Sequence, residues 1–433
     1  MRWFFSLIFI YLHIHLTIAQ QANERPIRHF ATQQVEKELA ATFPEVTEAR
    51  MDIEKYIRSF RPVGAIKNKN IPIVFHILRN SAEVTISEAQ IVSQIEALNR
   101  DFSSQAFVPD FPANQLEGFL AKRPERLNIS FCLAVSKPGA NGQRGILYED
   151  TNVAEWSADN QIKYTNAGGS DPWSTEDYLN VWVSKLADGV SGWAQLPGGP
   201  TATDGIVIDY RFFGTSGTAV APYNEGKTLT HLVGSYLGLE ELWNESIKCD
   251  DDKVLDTPLH NGPNIGCPVY RHVSTCYQYA TVEMTMNFMD NTDDPCMYMF
   301  TFGQMLRMHA MLGPKGPRKM LANNGNLCYR EKIAGLNGTT YDEHSSIVMQ
   351  PKLSIQPNPT RGMVQFNIGN ISNEFAVLQV FDPNGRQKFT TVWETPATTS
   401  TMNLDCVDWP PGIYFVKVTG DGQVITERLV ITR

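Results

Sequence analysis

The hydrophobic pattern changes character once along this 433-residue chain, and that change limits what the chain can fold into. Up to about residue 335 apolar residues recur with mixed periods. Ile71-Pro72-Ile73-Val74-Phe75-His76-Ile77-Leu78 reads as a buried strand, and Ile91, Ile95, Leu98 and Phe102 share one helical face. Ser87 and Gln90 introduce that helix in the pattern of a capping box. Beyond Pro351 only short strands remain: Met363–Ile368, Ala376–Phe381, Ile413–Val418 and Val424–Ile431. Turns such as Asp382-Pro383-Asn384-Gly385 separate them. A chain this long with such a break folds as separate units, each with its own core.

The first part also predicts strands at Leu127–Val135, Tyr178–Ser184 and Gly205–Tyr210 and a helix from Gly226 to Leu237, the order of an α+β domain. Ahead of it, Thr32 to Phe60 is helical in pattern, with Val35, Leu39 and Phe43 four residues apart. That stretch is too short and polar for a domain and reads as a prosegment or packing arm. At the start, Arg2 precedes an apolar run from Trp3 to Leu16, and Thr17-Ile18-Ala19 closes it in a small residue, the pattern of an export signal. Export permits disulfides. Five of the seven cysteines, from Cys249 to Cys328, fall in one region, and the odd total leaves at least one thiol unpaired or paired between chains. A net charge of −9 supplies no basic stripe, so nucleic acid is not an expected partner. After the signal, no stretch is apolar enough to span a membrane.

The helix from Gly226 to Leu237 carries the chemical question. His231 and Ser235 stand at i and i+4 on one face, Gly238 ends the helix, and Glu240 and Glu241 follow. This segment resembles the metzincin zinc helix, H-E-x-x-H-x-x-G-x-x-H. Three other stretches resemble the pappalysin family of metzincin metallopeptidases. They are Ile71 to His76, Asp171-Pro172-Trp173 through Asp204 to Tyr210, and Asn287-Phe288-Met289-Asp290 with Asp293-Asp294-Pro295-Cys296-Met297 after it. The likeness covers about residues 66–330. Ile355-Gln356-Pro357-Asn358-Pro359, Val380 to Arg386 and Pro411 to Val418 resemble a type IX secretion sorting domain.

The pappalysin resemblance implies three zinc-binding histidines and a glutamate that moves a proton from zinc-bound water to the leaving amine. His231 keeps the first ligand position and Gly238 the break. Leu232 stands at the general-base position, Ser235 at the second ligand and Glu241 at the third. A serine hydroxyl is a poor zinc ligand, and leucine has no proton to exchange, where a positioned acid–base group contributes roughly 10²–10⁴-fold. His231 and Glu241 are thus the residual zinc candidates. Met289 is expected as a structural floor, and Asn291 replaces the tyrosine usual after the Met-turn. Arg28-His29-Phe30-Ala31-Thr32 resembles the family's Arg-x-Cys-Gly-Thr prosegment motif, with Phe30 in place of the zinc-capping cysteine. The resemblance also implies disulfides Cys249–Cys276 and Cys267–Cys296. Asp252-Lys253-Val254-Leu255-Asp256-Thr257-Pro258 resembles a calcium-binding loop, with Asp252, Asp256 and Thr257 as candidate ligands; an acidic surface loop is the alternative.

The expected fold is an α+β metzincin-like metallopeptidase domain followed by a small all-β sandwich. The expected divisions are a signal peptide at 1–19, a prosegment-like helical region at 20–65, the metallopeptidase-like domain at 66–335, a linker at 336–350 and the sorting sandwich at 351–433. The expected function is a secreted homologue that binds an extended peptide or protein ligand and has lost zinc and hydrolysis. Two alternatives stay open: a working zinc metalloendopeptidase with rebuilt ligation, drawing on His260 or His272, and a structural or adhesive surface protein. Type IX secretion machinery would carry the chain through the periplasm to the outside or outer-membrane surface of a Gram-negative bacterium.

Overall fold

Strand β1 (Lys69–Arg79) is buried from Ile71 through Leu78 on both faces. That is why the segment reads as an apolar run rather than an alternation. The computed structural model describes residues 26–62, 66–80, 83–103, 117–136, 142–243, 249–269, 271–276, 281–329, 352–369, 375–382, 386–394, 399–420 and 423–432. The expected signal peptide and linker lie outside the described residues. The chain divides into two compact units, Met1–Arg330 and Glu331–Arg433.

In the first unit β1 pairs in parallel with β2 (Ile129–Leu133), β3 (Ile146–Asp150) and β4 (Leu179–Ser184). β4 continues in parallel to β6 (Ile206–Asp209), and the short β5 (Gly192–Ala194) closes that edge antiparallel to β6. The helical stretch ahead of the sheet is two helices, α1 (Thr32–Thr42) and α2 (Glu45–Ser59), because Pro44 interrupts it. Val35 and Leu39 are buried as expected, while Phe43 is exposed at the break. Helix α3 (Glu88–Phe102) packs Ile91, Leu98 and Phe102 into the main core. Its expected capping box is half formed: Ser87 accepts from the Gln90 N–H, but the Gln90 amide instead donates to the Phe213 carbonyl at 2.8 Å. The loop at Phe213–Thr218 offers it buried partners that the helix start cannot.

Helix α4 (Lys227–Tyr236) is buried along its whole length beneath the sheet. Gly226 (φ 77°) leads into it and Gly238 (φ 87°) turns the chain away after it. Helix α5 (Phe302–Met311) starts at a full capping box between Thr301 and Gln304. Between α4 and α5 the chain is irregular, with one small hairpin, β7 (Val273–Ser274) and β8 (Thr281–Val282). Disulfides Cys249–Cys276 and Cys267–Cys296 brace it, and Cys132–Cys328 ties β2 to the end of the unit. Among the described residues no helix is long and apolar enough to cross a membrane.

The second unit is a small all-β sandwich. One sheet runs β13 (Thr399–Asp405), β10 (Met363–Gly369), β9 (Lys352–Gln356); the other runs β12 (Gln387–Glu394), β11 (Phe375–Phe381), β14 (Gly412–Gly420), β15 (Gln423–Ile431). Alternate residues Leu378, Val380, Tyr414, Val416 and Val418 meet Val364, Phe366 and Leu404 in its core. The odd cysteine, Cys406, is free and buried there.

Candidate functional site

Helix α4 delivers His231 into a fully buried position. Its Nδ1 lies 2.8 Å from the Phe288 carbonyl, which can only accept, so Nδ1 carries a proton and donates it. Nε2 faces Glu241 Oε1 at 3.8 Å, beyond hydrogen-bond reach, and has no hydrogen-bond partner among the described residues. Burial pushes the His231 pKa below its ordinary value, against the opposing pull of Glu241. Gln33 of α1 donates to the other Glu241 oxygen at 2.8 Å. Ser235 and Glu241, with Trp243 and Leu239, line a cavity of about 300 Å³. Leu232 points elsewhere. Its Cδ1 would lie 2.8 Å from a Cβ on Gly192, which places it in the packing between α4 and β5.

Met289 packs against helix α4. Its Sδ would sit 2.6 Å from a Cβ on Gly234, so the helix has a glycine where the sulfur presses in. Asn291 is held by Arg28: its Oδ1 accepts from Arg28 Nε at 3.2 Å, and its Nδ2 donates to the Arg28 carbonyl at 3.0 Å. Arg28 is itself almost fully buried, paired with Asp294 at 2.9 Å and stacked over Tyr223. Two residues on, the Phe30 ring lies flat on His231, centroids 3.9 Å apart and planes 10° apart.

The segment that carries Arg28 and Phe30 runs along β5 as an added parallel strand. Ser191 N–H donates to the His29 carbonyl (2.8 Å), Ala31 N–H to the Gly192 carbonyl (3.0 Å), and Ala194 N–H to Thr32 Oγ1 (3.2 Å). Sequence reasoning placed Phe30 in the prosegment motif but missed its stacking partner. It also missed the Arg28–Asp294 pair, although both residues stand in the stretches that carry the family likeness.

The remaining candidates lie apart from His231. Asp252 Oδ1 accepts from Thr257 Oγ1 at 2.7 Å, and burial pushes the Asp252 carboxyl up to about 7. Asp256 serves the start of α5, accepting from Thr301 Oγ1 (2.6 Å) and Gly303 N–H (2.8 Å). His260 accepts the Met284 N–H at Nε2, and both His260 and His272 neighbour Glu283 rather than His231. Among the described residues no three His, Cys, Asp or Glu side chains converge to hold a metal. The donor set at His231 is one imidazole nitrogen, one carboxylate and a serine, which does not fit a hydrolytic zinc.

Residues 162–313 match the family model described as pregnancy-associated plasma protein-A, and residues 354–432 match the secretion system C-terminal sorting domain. An extracellular metalloprotease of Arthroderma benhamiae is 26% identical over 299 residues, 66% of this chain and 81% of that protein. Among solved structures, a promirolysin mutant of Tannerella forsythia is 33% identical, with a TM-score of 0.63; the match covers 70% of this chain and 100% of that one. Mature mirolysin from the same organism, in complex with a cleaved peptide, is 36% identical with a TM-score of 0.57, over 61% of this chain and 100% of its own. By these matches the chain belongs to the pappalysin family of metallopeptidases and carries a secretion sorting domain.

Proposed function

We propose that this protein is a pseudopeptidase of its family, an exported chain that holds an extended peptide or protein segment along β5 without hydrolysing it. The observation behind this reading is the donor set. Leu232 stands where a base is needed, Ser235 replaces an imidazole, and Phe30 lies on the remaining histidine. An edge strand binds peptides through its backbone groups and needs no metal to do so. Mirolysin's complex with a cleaved peptide supports this choice of ligand class. In this chain the Arg28–Thr32 segment lies on the same edge, so a ligand from outside competes with it. Delivery by type IX machinery to the outside or outer-membrane surface of a Gram-negative bacterium belongs to the same reading.

The test is metal analysis of the purified protein lacking residues 1–19, together with digestion of unfolded casein. The expected result is no stoichiometric zinc after dialysis and intact casein. Retained zinc with cleavage that a chelator stops overturns the proposal. One observation favours a second reading, a zinc enzyme with rebuilt ligation: His231 Nε2 is buried beside Glu241 with no hydrogen-bond partner among the described residues. That reading requires His231→Ala to abolish both metal and cleavage.

A further inference from the structure

Away from His231, a row of hydrogen-bonded side chains crosses the sheet through His76, which lies fully buried on β1. Its ring stacks on Trp182 of β4, centroids 4.8 Å apart. Its Nδ1 lies 2.8 Å from Ser170 Oγ and its Nε2 3.0 Å from Asn180 Oδ1. Ser170 Oγ lies in turn 2.8 Å from Glu149 Oε1 on β3. With a neutral imidazole and an ionised Glu149, this row is one hydrogen short. Asn180 Oδ1 can only accept: it already takes the Trp173 N–H, while its Nδ2 donates to the Trp173 carbonyl. Nε2 therefore carries the ring hydrogen, and Nδ1 is an acceptor. The one Ser170 hydroxyl hydrogen then faces two acceptors, Nδ1 and the Glu149 oxygen. The other tautomer only moves the gap to Asn180. All three contacts close together when the row holds one more proton.

We infer that Glu149, Ser170 and His76 form a proton-operated latch, which in acidic medium pins the 160–173 loop to β1 and β3. Glu149 takes the proton from solvent and donates it to Ser170 Oγ. Ser170 then donates to His76 Nδ1, and His76 Nε2 to Asn180, with no charge along the row. Once Glu149 ionises, Ser170 keeps only one of its two partners. Glu149 is the entry point because it is half-buried, whereas Ser170 and His76 are closed to solvent. A proton placed on His76 instead would bury a cation, and burial pushes that ring down to about 4. Two charges face the ring from neighbouring elements. Asp171 favours a charged His76, while Lys163, also over Trp182 at 5.4 Å, opposes it. On β3 the adjoining Asp150 is paired with Arg79 at 3.0 Å. The pinned loop reaches both neighbouring strands: the Ser170 carbonyl accepts from the Trp182 indole on β4, and Asn160 Oδ1 accepts from Trp193 on β5.

The test compares the natural chain after its first 19 residues with Glu149→Gln, whose amide can donate to Ser170 Oγ at every pH. The readout is hydrogen exchange at the Ser170 and Trp173 N–H groups, which bond to the Ile162 carbonyl and Asn180 Oδ1. Protection factors are taken at about pH 4 and about pH 7, either side of the range in which an ordinary carboxyl and imidazole change charge. Glu149→Gln is expected to raise protection at least threefold at the higher pH and to leave it unchanged at the lower. Equal or lower protection at the higher pH overturns the inference, and so does a gain of the same size at both. Ser170→Ala removes the middle of the row without changing its charge. In that background Glu149→Gln is expected to make no difference at either pH, and a threefold gain there overturns the latch.

Discussion

Arg28 ties the segment ahead of α1 to the stretch from Asn291 to Asp294. Its guanidinium is buried against Asp294, Asn291 and the Thr292 carbonyl. Burial raises the Asp294 pKa, and Arg28 opposes that shift. Removing one partner of a buried pair strands the other, at a cost of roughly 3–5 kcal/mol. Arg28→Met should therefore lower the unfolding free energy of the first unit, measured by denaturant titration, by that amount, while an exposed control such as Arg58→Met leaves it unchanged. A second residue-scale expectation concerns Asp290, which anchors the Met-turn by accepting from the Asn264 and Asn291 N–H groups. Burial, with the Glu283 charge adding to it, raises Asp290 to about 7 against those hydrogen bonds. The folded pKa lies above the ordinary carboxyl value near 4, so the folded form holds a proton that the unfolded chain releases. Stability from this group is full at low pH and is lost as pH rises from about 4 to 7. Melting temperature measured across that window should fall less steeply in Asp290→Asn than in the natural protein.

At the scale of elements, β5 is a short edge strand packed tightly between β6 and α4. A Cβ on Gly192 would lie 2.5 Å from the Val207 carbonyl of β6 and 2.8 Å from Leu232 on α4. Gly192→Ala should force β5 away from β6 and cost about 1–3 kcal/mol, the range for overpacking a tight site. The loss should appear in hydrogen exchange as faster exchange at Ala31 and Ala194, whose N–H groups bond across this edge. Three-residue β5 was invisible in the sequence, because no period can be read from so few residues. Helix α4 was legible to within a residue, because Gly226 and Gly238 mark its ends where the backbone needs φ above zero.

For the whole molecule, the disulfide Cys132–Cys328 closes a separation of 196 residues around most of the first unit. In the chain-entropy account a loop of that length contributes about 5 kcal/mol by restricting the unfolded state. The double variant Cys132→Ser, Cys328→Ser should lose stability on that order, and calorimetry of the first unit's transition would measure it. These two cysteines lie far apart in sequence, so nothing local pairs them. The sequence by itself determined the two-unit plan, the sandwich class of the second unit, the family of the first and which residues, Leu232, Ser235 and Glu241, follow His231 on and after its helix. Each of those is written in local periodicity or in residue identity at a short spacing, which no later packing alters. Tertiary structure alone decided the rest: Phe30 lies on His231, Arg28 reaches Asp294, Gln90 leaves its own cap for a distant loop, and Glu241 stops 3.8 Å short of Nε2. Those outcomes depend on where side chains hundreds of residues apart find burial and a partner, which a one-dimensional pattern does not carry.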